Sequence, residues 1–110
     1  MVKKPQSAEI NPGPGNRMRN GFDRPPAELV AKYSKFETTD ISDMLNRLYT
    51  MDPGIKSVGA IPKVVGPACT VKTYPGDNLM VHKSLDVAKP GDVVVVDTSG
   101  SNRTAVFGDL

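Results

Sequence analysis

A chain of 110 residues can hold one small domain, and a domain of this size buries only about 60–70% of its extended surface. Lys and Arg number 14 against 12 Asp and Glu, and a net charge of +2 does not mark a nucleic-acid binder. With no Trp and a single Cys, the expected core is aliphatic and no internal disulfide can form. The longest purely aliphatic run is too short to cross a bilayer, so the default expectation is a reducing cytoplasm and no membrane.

Residues 1–25 read as an extended, partly disordered basic arm. Asn11-Pro12-Gly13-Pro14-Gly15-Asn16 and Pro25-Pro26 break any periodicity, and Lys3, Lys4, Arg17, Arg19 and Arg24 outweigh Glu9 and Asp23. Pro26 is an acceptable first helical residue, and Leu29, Val30, Tyr33 and Phe36 then fall near one helical face. Glu37-Thr38-Thr39-Asp40 supplies a cap for a second helix. Ile41, Met44, Leu45, Leu48 and Tyr49 follow at amphipathic spacing, with Asp40 and Asp43 suited to its positive end and Arg47 to its other end. Asp52-Pro53-Gly54 ends that helix.

Between Val64 and Tyr74, Val65, Cys69 and Val71 alternate with polar or small residues, as in a strand buried on one side, with Pro67 confined to an edge or bulge. Cys69 in this pattern reads as a small buried hydrophobe. Tyr74-Pro75-Gly76-Asp77-Asn78 is a turn into a helix over about Leu79 to Ala88, with Val81, Leu85 and Ala88 inward. Lys89-Pro90-Gly91-Asp92 then launches Val93-Val94-Val95-Val96, four Val in a row that read as a strand buried on both faces. Strand, helix and strand over residues 64–97 make a βαβ unit with parallel strands, and the fold class is α/β.

After Asp97 the polarity switches. Arg103-Thr104-Ala105-Val106-Phe107 reads as a helix start with Ser101 or Asn102 as cap, placing a strand end beside a helix N-terminus, where ligands gather in open α/β sheets. Asp97 suits a loop-orienting or hydroxyl-binding role. Ser99, Gly100, Ser101 and Arg103 suit an anion contact, since backbone can approach at Gly100 and Arg103 supplies a cation. Gly108 costs a helix about 1 kcal/mol relative to Ala, which points to close backbone approach there. Motifs for dinucleotide, phosphate-loop and zinc binding are absent, and the lone His82 reads as a packing or capping residue. A Val strand buried on both faces needs neighbours, so the expectation is the amino-terminal part of a larger domain or one completed by partner chains.

Six segments together resemble the regulator of ribonuclease activity A (RraA) family. They are Thr39-Asp40-Ile41-Ser42-Asp43, Val65-Gly66-Pro67-Ala68, Pro75-Gly76-Asp77-Asn78-Leu79, Lys89-Pro90-Gly91-Asp92-Val93, Val95-Val96-Asp97 and Ala105-Val106-Phe107-Gly108-Asp109-Leu110. The family includes class II 4-hydroxy-4-methyl-2-oxoglutarate aldolases. The resemblance implies a swivelling-type β/β/α domain, of which residues 26–110 would be the amino-terminal part, assembled as a homotrimer or dimer of trimers with sites between subunits. It also implies a small 2-oxo acid substrate, cleaved to release pyruvate, or decarboxylated as in an oxaloacetate decarboxylase. A divalent cation, usually Mg²⁺, would act as Lewis acid on the 2-keto oxygen.

By the same resemblance Gly108, Asp109 and Leu110 contact substrate through their backbone, while Asp97 and the turn from Ser99 to Arg103 lead toward them. The family's Arg-Asp pair, which meets substrate and metal, falls beyond Leu110, so no catalytic residue and no metal ligand is expected within these residues. The rival implication is a non-enzymatic protein that binds and regulates an endoribonuclease. Methyl transfer, a label some members carry, is not expected without a glycine-rich cofactor loop.

Overall fold

The computed structural model describes residues 17–19, 21–60 and 63–108. They fall into two compact units, one within Met1–Arg24 and Pro67–Leu110 and the other Pro25–Gly66.

The Pro25–Gly66 unit carries two short helices. Helix α1 (Ala27–Tyr33) starts after Pro26, whose carbonyl accepts from the amides of Leu29 and Val30, so proline's missing N–H costs nothing there. Tyr33 and Phe36 meet edge to face with ring centres 6.5 Å apart. Helix α2 (Thr38–Met44) begins in a reciprocal capping box between Glu37 and Asp40.

It is shorter than the apolar spacing predicts. Asn46 and Arg47 adopt left-handed backbone, with φ of 54° and 60°, and turn the chain out of the helix before Leu48 and Tyr49. Arg47 then bonds back to Asp43 at 2.9 Å, and its amide to the carbonyl of Ser42. No residue of either helix is buried. Hydrophobic spacing alone cannot hold a last turn that packs on nothing.

The other unit is the βαβ unit expected from the sequence, in tighter bounds. Strand β1 (Ala68–Lys72), helix α3 (Leu79–Ser84) and strand β2 (Val93–Asp97) follow in order, and the two strands pair in parallel from Ala68 opposite Val93 to Lys72 opposite Asp97. The ladder continues past both ends. The amide of Val93 donates to Pro67 at 2.8 Å and that of Thr73 to Asp97 at 2.9 Å, so Pro67, placed just before the strand, contributes an acceptor where it lacks a donor.

Two proline–glycine turns frame α3. Asp77 closes on Tyr74 and Asp92 on Lys89, with Gly76 and Gly91 at φ of 78° and 93°, the left-handed third position of a type II turn. The carboxylate of Asp77, rather than the side chain of Asn78, caps α3 by accepting from the amide of Leu79.

The core lies between α3 and β1. Cys69, Val71 and Thr73, two residues apart on one strand face, are buried together with Val81 and Ser84 of α3. The Ser84 hydroxyl is satisfied by the carbonyl of Val81 at 2.6 Å. Burial pushes the Cys69 thiol up in pKa, with the charge of Asp92 adding to the effect. This matches the expected small buried hydrophobe.

The Val strand departs from expectation. None of Val93–Val96 is buried and Val94 is 37% exposed, because α3 packs against β1 and leaves β2 half-covered. Leu85 is likewise exposed, since the helix gives way to turns at that point, and His82 is on the surface.

At the amino end of β2, Arg24 grips Asp92. Its Nε donates to Asp92 Oδ1 at 2.9 Å, its Nη2 to Oδ2 and to the carbonyl of Val87, and its guanidinium lies 4.4 Å from the centre of the Phe22 ring. The bonds from Arg24 and from the backbone amide of Lys89 hold the Asp92 carboxyl down to about 2.

A carboxylate held low in the folded state stabilises above its unfolded pKa, and that stability is lost as pH falls through its folded pKa. Thermal unfolding followed by circular dichroism should therefore show a loss of Tm between about pH 4 and pH 2. In Asp92→Asn that part of the pH dependence disappears and Tm at neutral pH is lower. A variant with the parent's full acid slope would show that the Arg24 grip does not contribute.

Candidate functional site

Parallel pairing brings the carboxyl ends of β1 and β2 side by side, the position at which open α/β sheets place their ligands. Lys72 and Asp97, the last register pair, approach to 3.5 Å. Asp97 also accepts from the amide of Ser99 at 2.8 Å. That backbone bond, with the charge of Lys72 behind it, lowers the pKa of Asp97 from its ordinary value. Asp97 is thus an ionised, exposed carboxylate aimed by its own loop, consistent with a loop-orienting role.

The loop beyond it is a tight turn. The amide of Ser101 donates to Thr98 at 3.2 Å and the Thr98 hydroxyl to the carbonyl of Ser101 at 2.8 Å. Ser99 and Gly100 sit at φ of 55° and 79°. Ser99 adopts left-handed backbone at a cost, and its hydroxyl, donating to the carbonyl of Thr73 at 2.7 Å, offsets that cost by tying the loop to β1. Beside it the Pro75-Gly76 turn lies against Thr104, which a Cβ at Gly76 would meet at 3.7 Å. Lys72, Asp97 and Ser99 are therefore brought together, with Gly100 and Ser101 completing the loop.

The rest of the predicted set does not join them. Residues 103–108 are irregular rather than helical, so the helix expected to begin after β2 is not formed among the described residues. Six residues carry too few backbone bonds to offset the cost of helix nucleation, and Phe107, 57% exposed, packs on nothing that would help. Neither Ser101 nor Asn102 caps a helix. Arg103 is exposed and makes no ion pair with a described residue. Gly108 has open space around it among the described residues and no left-handed backbone. Asp109 and Leu110 lie outside the described residues. Among the described residues no three His, Cys, Asp or Glu side chains come together as cation ligands. They do not by themselves fit a divalent cation.

Two features escaped the sequence reading. The Arg24–Asp92 grip spans most of the chain, and no local pattern in the sequence points to it. A cleft also runs along β1, lined among others by Arg17, Arg19, Phe22, Lys72, Met80 and Ser99. No periodicity points to such a cleft, because the arm side chains come from a stretch without any.

The RraA-like family model, described as Aldolase/RraA, matches residues 38–110. The chain belongs to this family. Among curated RraA-like relatives, a protein of Halalkalibacterium halodurans is 40% identical over 83 residues, covering 76% of this chain and 40% of the relative. One of Alkalilimnicola ehrlichii is 38% identical over 73 residues, covering 66% and 45%. A third, of Hahella chejuensis, is 35% identical over 77 residues, covering 69% and 46%. All three carry the provisional name 4-hydroxy-4-methyl-2-oxoglutarate aldolase. The chain thus spans less than half the length of the curated relatives it matches. No solved structure gives a significant match.

The strand-end geometry makes a discriminating prediction about two glycines. Gly100→Ala forces an L side chain into left-handed backbone and should cost about 1–2 kcal/mol in urea unfolding. Gly108→Ala, at ordinary backbone in open space, should stay within about 0.5 kcal/mol of the parent. Equal costs at the two positions would mean that the loop geometry is wrong.

Proposed function

We propose that this chain forms part of an aldolase or 2-oxoacid decarboxylase that acts on 4-hydroxy-4-methyl-2-oxoglutarate or a related 2-oxo acid and releases pyruvate. The observation that carries the reading is the family match over residues 38–110, joined by relatives that bear the aldolase name. Residues 26–110 would then be the amino-terminal part of an RraA-like domain of swivelling β/β/α type, working in the cytoplasm as a homotrimer or dimer of trimers.

In this reading the carboxyl ends of β1 and β2 face the substrate. Lys72 offers a cation to a substrate carboxylate, and Asp97 fixes the 98–101 turn through the Ser99 amide. Gly108, Asp109 and Leu110 are proposed as backbone contacts for the pyruvyl group, and Arg103 as a further anion contact. A divalent cation, Mg²⁺ by preference, would polarise the 2-keto oxygen when bound. Its ligands and the reacting Arg-Asp pair are assigned to residues outside this sequence.

The protein expressed from the full reading frame should release pyruvate from 4-hydroxy-4-methyl-2-oxoglutarate or oxaloacetate in a lactate dehydrogenase-coupled assay, with Mg²⁺ and not with excess EDTA. Asp97→Asn should lower kcat/KM by about tenfold or more through the loop it orients. Absence of pyruvate from both substrates, with the protein instead retaining an endoribonuclease in a pull-down, would replace the enzyme reading by a regulatory one. Robust metal-dependent turnover by residues 1–110 alone would show that the reacting groups lie within this sequence.

A further inference from the structure

Among the described residues the sheet has two strands, and the outer edge of each is unpaired. Bond alternation fixes which groups of β2 lie on that edge. The Val93 amide and the Asp97 carbonyl both bond to the β1 side, so residues 93, 95 and 97 face β1. The amides and carbonyls of Val94 and Val96 therefore point away from it, and no described residue bonds to them.

The two edges differ in protection. β1 ends in the exposed cation Lys72, a charge of the kind that discourages a further strand from adding. Val93–Val96 carries no charge, proline or glycine, and its register with β1 runs through without a bulge. Val94 is exposed and the other three are only half-buried. A plain apolar edge of this kind is a template for another strand.

We propose that β2 pairs edge to edge with β2 of a second copy of this chain, antiparallel and centred on Val95, joining two two-stranded sheets into one. The strand is its own complement in this arrangement. Val94 meets the partner's Val96 and Val96 the partner's Val94, each pair exchanging two N–H···O bonds, with Val95 opposite itself as a non-hydrogen-bonded pair. Val94 and Val96 share a sheet face with Cys69 and Val71 by register, and their exposed flanks are covered by their counterparts.

Charge selects the direction. Parallel copies in register would stack Asp97 on Asp97 about 5 Å apart. Antiparallel pairing sets Asp97 beside the partner's Val93, with the two Asp97 residues about 13 Å apart and beyond the screening length at physiological salt. At the other end Asp92 is already neutralised by Arg24 and adds no repulsion. The pairing leaves the Lys72–Asp97 end open, so it holds or fails independently of the aldolase reading.

Sedimentation equilibrium of the intact chain should show twice the monomer mass at about 0.1 mM and dissociation on dilution, since a contact this small belongs to the transient class. Val94→Lys, at an exposed side chain, should weaken dimerisation about tenfold or more and leave the far-UV circular dichroism unchanged. Cysteine trapping reads the register. The thiols introduced by Val95→Cys would lie opposite each other, with Cα atoms about 4.5 Å apart, and should give a disulfide-linked dimer under mild oxidation. Those introduced by Val93→Cys would be about 13 Å apart and should not. The buried Cys69 of the parent chain sets the unlinked background. A parent chain that stays monomeric at that concentration would overturn the pairing and leave the edge to a strand of a longer polypeptide. Dimers undiminished in Val94→Lys would also overturn it by placing the contact on another surface, as would equal trapping at positions 93 and 95.

Discussion

Two strands of five residues paired in parallel cannot be joined by a tight turn, so everything between Lys72 and Val93 has to cross from one end of the ladder to the other. That crossing makes the core. Only six of its residues are helical, and they settle over β1, where Val81 and Ser84 close on Cys69, Val71 and Thr73. Burying a side chain such as Val81 contributes about 2 kcal/mol, so a core of this size leaves little margin, and polar ties at the strand ends carry much of the remaining definition.

The two ends of the ladder are treated differently. At the amino end, Asp92 is nearly inaccessible and takes bonds from Arg24 and from the backbone of its own turn, which consumes its capacity as an acceptor. At the carboxyl end, Asp97 and Lys72 are both more than half exposed and meet at 3.5 Å, a contact that solvent screens and a ligand can replace. One end is fastened and the other is available. A parallel ladder imposes this polarity, because only its carboxyl end presents two loops leaving in the same direction, here the Pro75-Gly76 turn and the 98–101 turn.

The parts of this arrangement that were legible in the sequence are those set by local chemistry. The alternation at Cys69 and Val71, the two proline–glycine turns and the run of Val specify strand, crossover and strand without reference to anything distant. What was not legible depends on what each element packs against. Four consecutive Val say that a strand can be buried on both faces, whereas α3 leans toward β1 and leaves Val94 open. Leu48 and Tyr49 continue a helical spacing, but without a packed face the backbone leaves the helix at Asn46 and Arg47. Arg103 to Phe107 have a helix start in composition and no helix in structure, for the same reason. The Arg24 grip pairs residues far apart in sequence, which no local pattern encodes.

On the proposed reading, the described residues would be better suited to holding a 2-oxo acid than to breaking its carbon–carbon bond. Cleavage develops negative charge on an enolate oxygen, and enzymes stabilise such charge with preorganised donors or cations in water-excluded surroundings. Lys72 and Arg103 are cations on the surface, where a high dielectric reduces a unit-charge interaction at 4 Å to about 1 kcal/mol. Binding tolerates that weakness, since several such contacts and some apolar burial add up. Bond cleavage needs the charge met where water is excluded. In the proposed aldolase reading, the strand ends assembled by β1, α3 and β2 would serve recognition and orientation, and the groups that stabilise the enolate would approach them from a drier wall than these loops provide.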